Sequence, residues 1–160
     1  MKAEPQKDHH WLQQLVGEWT YEGEADCGPD QQRMKFSGTE SVRSLGGIWI
    51  VGESQSKAPD GSPATMIITL GFDPLKQRYT GTWIGSMMMH MWIYDGELDA
   101  SGRVLTLSSE GPSMTGDGSM AMYQDIIEIV SPDHRILRSR APGADGKLVE
   151  FMESHYRRKA

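Results

Sequence analysis

The sequence predicts an all-β protein whose strands form a closed up-and-down antiparallel β-barrel behind a short N-terminal helix. From Gly17 onward, apolar and polar residues alternate with a period of two, which is the pattern of half-buried strands. Turn dipeptides recur roughly every 8 to 14 residues and leave no room for a helical crossover, so consecutive strands are predicted to be antiparallel neighbours. About ten short strands paired in this way must hide their edges, and closure into a barrel does so.

The chain has the size of one domain. Its 160 residues suffice for one hydrophobic core, so residues 1–160 are predicted to form a single barrel domain. The formal net charge of −6 argues against a nucleic-acid partner, and no apolar run approaches the ~20 residues of a membrane helix. Segment 1–8 lacks the apolar stretch of a secretory signal, which predicts a cytoplasmic protein. Cys27 is the sole cysteine, so neither a disulfide framework nor a cysteine-based zinc site is expected.

The N-terminal region predicts a flexible segment at 1–7 and a capping helix at 8–16. Asp8 can accept the free N–H groups of a first helical turn, and Gly17 is suited to end the helix. Leu12 and Leu15 belong to an apolar stripe by which so short a helix must dock on the barrel. The neighbouring His9 and His10 cannot face one metal ion together, and both are expected to be exposed to solvent.

The strands are delimited by turn signals. Five turn dipeptides separate β-rich runs, and they are Asp60-Gly61, Asp73-Pro74, Ser101-Gly102, Pro132-Asp133 and Asp145-Gly146. Glycines within the strands, such as Gly38 and Gly81, permit the bulges and coiling of a small barrel. The strands are predicted at 17–26, 33–45, 47–57, 64–73, 77–85, 88–98, 103–110, 119–131, 135–141 and 147–157.

Five segments together resemble one known family. They are Leu15–Gly23, Gly46–Gly52, Gly71–Pro74, Arg78–Met87 and Glu153–Arg157, and they resemble the domain of unknown function 1579 family over nearly the whole chain. The most specific of them contains Tyr79–Ile84 followed by Ser86 and Met87. The resemblance implies a calycin-type, lipocalin-like barrel, but it implies no established activity and transfers no catalytic residues. The opening Gly-x-Trp is less specific, since lipocalins, fatty-acid-binding proteins and haem-carrying nitrobindins share it.

The number of aromatic and thioether side chains indicates a ligand-binding function for the barrel interior. Five Trp and eleven Met are a high number for a small domain, and a barrel of about ten strands is wide enough to enclose one small ligand. The sequence therefore predicts a non-catalytic protein that binds a small, largely apolar ligand in its lumen, with no metal and no cofactor. The candidate binding residues are Trp19, Tyr21, Trp49, Met66, Trp83, Met88, His90, Trp92, Met122 and Gln124.

The Met- and His-rich run 87–92 has soft ligands that suit Cu(I). On a strand, however, its residues would divide between two faces, which favours a Met-lined wall over a copper site.

Three further alternatives remain open. If His155 points inward, it can ligate a haem iron, as a single axial His does in nitrobindin-like barrels. An enzyme acting on a small substrate would use lumen carboxylates such as Glu53, Glu110 or Glu153. A structural or assembly module would form a homodimer through an exposed apolar barrel wall. No Gly-x-Ser-x-Gly, His-Glu-x-x-His or phosphate-binding glycine loop supports a particular enzyme class.

Overall fold

The computed structural model describes residues 3–28, 30–58 and 60–160. These residues form one α-helix, α1 (Lys7–Gln13), and ten β-strands. Each strand pairs antiparallel with its sequence neighbours, and β1 pairs with β10 to close the barrel, so the predicted fold is confirmed. The strands are β1 (Gly17–Ala25), β2 (Met34–Leu45), β3 (Trp49–Lys57), β4 (Pro63–Asp73), β5 (Arg78–Gly85), β6 (Trp92–Leu98), β7 (Val104–Pro112), β8 (Met120–Ser131), β9 (His134–Pro142) and β10 (Leu148–Arg158).

The predicted strand limits agree with the structure to within two residues, except at the start of β6. That strand begins at Trp92 rather than at position 88. Residues 86–91 are instead a connection, in which the Met88 N–H donates to the carbonyl of Gly85 (3.2 Å). The expected alternation of Met and His side chains between two faces of a strand is therefore wrong, because these residues do not belong to the sheet.

The helix is capped differently from the prediction. It begins at Lys7, and Gln6 rather than Asp8 occupies the N-cap position in a reciprocal arrangement with His9. The Gln6 N–H donates to Nδ1 of His9 (2.9 Å), which leaves Nε2 to donate to the carbonyl of Phe72 (3.0 Å). His9 is therefore buried, contrary to the expectation, whereas His10 is exposed. Of the segment expected to be flexible, Met1 and Lys2 lie outside the described residues.

Helix α1 lies across one end of the barrel. Leu12 and Leu15 are buried in a core cluster with Leu70 and Tyr79. The Trp11 indole donates to the carbonyl of Gly102 in the turn between β6 and β7 (2.7 Å). These contacts close that end, so the interior is accessible from the opposite end, where β3, β5 and β7 finish.

Candidate functional site

The barrel encloses a cavity of about 990 Å³. Its floor includes Leu15 next to the helix, and its wall is formed by the inward-facing residues of the strands. Most of that wall is apolar, and its apolar residues include Val42, Ile50, Met66, Ile68, Leu70, Trp83, Trp92, Leu107 and Ile127. The lumen is therefore a cavity rather than a packed core.

A buried ion pair lies on one side of the lumen. Nη2 of Arg135 on β9 donates to Oε1 of Glu40 on β2, and both side chains are almost wholly buried. The Ser54 hydroxyl donates to the second oxygen of Glu40 (2.8 Å). The Arg135 guanidinium also lies over the ring of Tyr156 (4.1 Å) and the ring of Trp19 (4.8 Å). This arrangement satisfies the Glu40 carboxylate and packs Arg135 between two aromatic faces.

A second polar group surrounds Asp125 on β8. The Tyr94 hydroxyl donates to Oδ2 (2.5 Å) and the Ser139 hydroxyl donates to Oδ1 (2.6 Å). Tyr94 and Ser139 are buried, whereas Asp125 keeps part of its surface exposed, and it lines the cavity. Asp125 therefore presents a hydrogen-bonded carboxyl group to the lumen.

The lumen shifts the proton equilibria of these groups. Burial raises the pKa of Asp125 because the charged form loses solvation, although the hydrogen bonds from Ser139 and Tyr94 act in the opposite direction. Burial also raises the pKa of Tyr94 and of Tyr156 well above the ordinary value, and nearby carboxylates add to both shifts. The tyrosines are therefore neutral hydrogen-bonding groups at physiological pH.

Tyr21 is a buried lumen residue whose hydroxyl has no hydrogen-bond partner among the described residues. The nearby Ser56 hydroxyl donates instead to the carbonyl of Ser37 (2.8 Å). Burial raises the pKa of Tyr21, the nearby Ser56 side chain acts in the opposite direction, and the charge of Glu40 adds to the increase. An unsatisfied hydroxyl in such a wall costs about 1–3 kcal/mol.

Methionines and aromatic rings surround the open end. Met87, Met88 and Met89 in the connection after β5 line the cavity while remaining exposed to solvent. The Trp92 indole N–H contacts Sδ of Met88 (3.1 Å), and its ring meets that of Tyr123 edge to face at 5.0 Å. The rim is thus apolar and contains flexible thioethers that adapt to different shapes.

Most of the predicted binding residues face the lumen, but not all of them. Trp19 is buried next to Arg135 beneath the cavity. Three side chains point outward, contrary to the expectation, and they are Trp49, Met122 and Gln124. The remaining six line the cavity, and they are Tyr21, Met66, Trp83, Met88, His90 and Trp92.

The three outward residues have side chains of a type suited to a binding site, but their positions along the strands place them on the outer face of the sheet. Trp49 precedes the inward-facing Ile50 and therefore lies on the opposite face, over the backbone of Gly71, where a Cβ would clash with its ring. Met122 and Gln124 flank the inward-facing Tyr123 in the same way. His90, which is predicted to orient the ligand, lies in the connection after β5 rather than on a strand. Its Nε2 lies 3.0 Å from the carbonyl oxygen of Glu110.

His155 faces away from the lumen, because its neighbours Ser154 and Tyr156 face inward. Its Nδ1 lies 2.9 Å from Nε2 of His134, and its Nε2 lies 2.9 Å from Oε1 of Glu153. His155 therefore does not have the inward orientation on which haem ligation within the barrel depends.

The carboxylates expected in the lumen point elsewhere. Glu53 and Glu110 are exposed, and Glu153 lies on the outer groove with His155. The carboxyl groups that do face the cavity, Glu40 and Asp125, were missed, as was Arg135. A signal for them existed: each lies two positions from an inward apolar residue, namely Val42, Ile127 and Leu137. Among the described residues, no group of three or more His, Cys, Asp or Glu side chains is placed to hold a metal ion.

Comparison with known proteins identifies the family and supports the fold. No curated protein matches the sequence. Among solved structures, Rv2717c from M. tuberculosis is 15% identical, with a TM-score of 0.69 over 98% of this chain and 100% of that one. The S-type phycobiliprotein lyase CPES from Guillardia theta is 13% identical, with a TM-score of 0.65 over 98% and 99%. A de novo designed fluorescence-activating β-barrel is 16% identical, with a TM-score of 0.51 over 94% and 98%.

At these identities the structural neighbours show the fold alone. In the described part of the chain, no helix is long and apolar enough to cross a membrane. The family model described as "Protein of unknown function (DUF1579)" matches residues 4–158, in agreement with the resemblance found in the sequence. The chain therefore belongs to the DUF1579 family.

Proposed function

We propose that this protein binds one small, largely apolar molecule in the barrel lumen and does so without catalysing a reaction. The observation that carries this proposal is the cavity of about 990 Å³, which has an apolar wall and one accessible end. Ligand pockets in proteins commonly have volumes of about 300–1,000 Å³ and combine apolar walls with a few polar groups. The lumen has that composition, with its polar groups limited mainly to the Glu40 and Asp125 clusters.

The structural neighbours are consistent with such a use of the fold. One is described as a phycobiliprotein lyase and another as a fluorescence-activating barrel, while a further neighbour with a TM-score of 0.51 was solved bound to DFHBI. Barrels of this shape therefore accommodate small molecules in other proteins. The identities of 13–16% transfer no ligand to this chain.

Intrinsic tryptophan fluorescence tests the proposal, because Trp83 and Trp92 line the cavity whereas Trp49 lies outside it. We expect retinol, palmitic acid or haem to change the emission saturably at micromolar concentration. Replacing Trp92 by Phe should reduce the amplitude of that change.

The matched control is Trp49→Phe, which removes an indole from the outer face and should leave the ligand-dependent change intact. A saturable change that disappears with Trp49→Phe but persists with Trp92→Phe would place binding on the outer surface and contradict the proposal. The absence of saturable binding for all three ligands would also overturn it.

A further inference from the structure

The charges inside the lumen restrict the chemistry of its ligand. Among the described residues that line the cavity, Lys57 and Arg140 are exposed at the open end, so Arg135 is the one Lys or Arg in the deep interior. The deep carboxyl groups are Glu40 and Asp125. The deep lumen therefore has no net positive charge.

Arg135 is already paired with Glu40 in the lumen. Its guanidinium bonds Glu40 through Nη2 and lies against the rings of Trp19 and Tyr156. Its Nε has no hydrogen-bond partner among the described residues, but that atom is enclosed by protein and is not accessible from the cavity. A ligand carboxylate that took the position of Glu40 on Nη2 would have to displace Glu40, which Ser54 also holds. Displacement would leave Glu40 buried without a counter-ion, and breaking a buried pair is strongly unfavourable.

Asp125, in contrast, has acceptor capacity left. Each of its oxygens receives one hydrogen bond, from Tyr94 and from Ser139, whereas a carboxylate offers about four acceptor positions. In the described part of the chain, no Lys, Arg or His side chain forms an ion pair with Asp125, whose partners are the hydroxyls of Tyr94 and Ser139. Its exposed surface faces the cavity, so a donor group in the lumen can reach it.

We infer that the ligand inserts an end that carries an O–H or N–H donor, which bonds the Asp125 carboxyl group, and that the lumen discriminates against the same molecule with a carboxylate at that end. This inference rests on the proposed function and names the ligand class: an apolar alcohol, amide or pyrrole-type N–H compound. The small number of partners of Asp125 supports it, because a carboxylate with acceptor capacity left gains from a further donor.

Three retinoids with the same ring and polyene chain test the inference. Retinol carries an O–H donor, retinyl methyl ether carries none, and retinoic acid carries a carboxylate. A hydrogen bond to a charged group is worth roughly tenfold or more in affinity. Titration of the protein at pH 7 should therefore show retinol binding at least about tenfold tighter than each of the other two. The pair hexadecan-1-ol and palmitic acid should show the same order.

A variant assigns the discrimination to Asp125. Asp125→Asn keeps the size of the side chain but removes its charge, so the ratio of retinol to retinoic acid affinity should fall severalfold. The matched control Glu53→Gln makes the same change in net charge on the outer face and should leave the ratio unchanged. The three-ligand comparison on the unaltered protein decides the matter even if Asp125→Asn does not fold.

The outcomes separate the inference from the proposed function. Retinoic acid binding as tightly as retinol, or an unchanged ratio in folded Asp125→Asn, overturns the inference and leaves lumen binding intact. If neither alcohol binds, the inference also fails, while saturable binding of palmitic acid or haem keeps the proposed function. The proposed function falls when none of these compounds binds.

Discussion

Arg135 on β9 donates to Glu40 on β2, although 95 positions of the chain separate the two residues. In the closed barrel, β10 and β1 lie between these strands. The pair therefore joins two strands that are not neighbours in the sheet. It connects the last third of the chain to the first on one side of the lumen, and both charges depend on it for compensation.

Removing one member of this pair should destabilise the protein strongly. Glu40→Gln leaves the Arg135 charge buried with a weaker partner, and breaking a buried pair costs about 3–5 kcal/mol. We expect a loss in the free energy of unfolding within that range, measured by urea denaturation. The double replacement Glu40→Leu with Arg135→Met should cost less than Glu40→Gln alone, since no charge is left unpaired.

The exposed ion pair between Arg78 and Asp95 is the control for this experiment. Surface pairs contribute about 0–1 kcal/mol, so Arg78→Gln should have a small effect on the free energy of unfolding. Equal losses for Glu40→Gln and Arg78→Gln would show that the lumen pair is not desolvated as described.

Arg158 joins the end of β10 to the segment after α1. Its guanidinium donates to the carbonyls of Val16 (2.7 Å) and Gln14 (3.0 Å) and lies over the Trp19 ring. Hydrogen bonds from a charged group contribute roughly 1.5–3 kcal/mol, and partial exposure reduces this, so Arg158→Gln should cost about 1–2 kcal/mol in thermal or urea unfolding.

The neighbouring Arg157 is exposed and offers a matched control. Arg157→Gln makes the same change in charge and composition one position away, and its effect should stay within about 0.5 kcal/mol. If the two variants unfold alike, the carbonyl contacts of Arg158 are not a stabilising feature of the fold.

Docking of α1 should depend on Leu12, which is fully buried in the core. Leu→Ala replacement at such a site costs about 2–5 kcal/mol, including the cavity that it leaves. Leu12→Ala should therefore lower the melting temperature markedly, as measured by circular dichroism. His10→Ala on the exposed face of the same helix should leave it nearly unchanged.

Stability should depend on pH through Asp125. Its pKa is raised in the folded protein above the usual value of 3.8, so the folded state binds more protons than the unfolded state between those two pKa values. This contribution to the free energy of unfolding is fully present below the unfolded pKa and is lost as the pH rises through the folded pKa.

Asp125→Asn abolishes that titration. We therefore expect the free energy of unfolding of the variant, relative to the unaltered protein, to increase as the pH rises above 3.8, in urea denaturation at matched ionic strength. Glu53→Gln, on the outer face, is the control for the change in net charge. A relative stability of Asp125→Asn that falls over this range would contradict the raised pKa.

The local pattern of the chain predicted the strands well because each one alternates and ends at a turn dipeptide. It failed at residues 86–91, where a run of apolar Met side chains is compatible with a strand, yet the backbone turns back on itself after Gly85. It also failed at His9, because burial of that ring depends on Phe72, which lies 63 positions away.

The candidate site was predicted in part. Residue type alone selected Trp83 and Trp92, which face the lumen, but also Trp49, which does not. The alternation of side chains between the two faces of a strand distinguishes these cases. The same alternation places the carboxyl groups of Glu40 and Asp125 inside the barrel. It does not, however, show which inward-facing residues on distant strands are in contact.

The sequence by itself determined the closed barrel and the number of its strands, since alternation and turn chemistry act between near neighbours in the chain. Only the tertiary structure decided that the lumen is a cavity, that Arg135 is neutralised by Glu40, and that Asp125 retains a free acceptor surface. Those features depend on the curvature of the whole sheet. This curvature sets the distance between inward-facing side chains on strands that are not neighbours. Alternation along β10 turns His155 outward, and Asp125 is one of the polar groups that line the cavity.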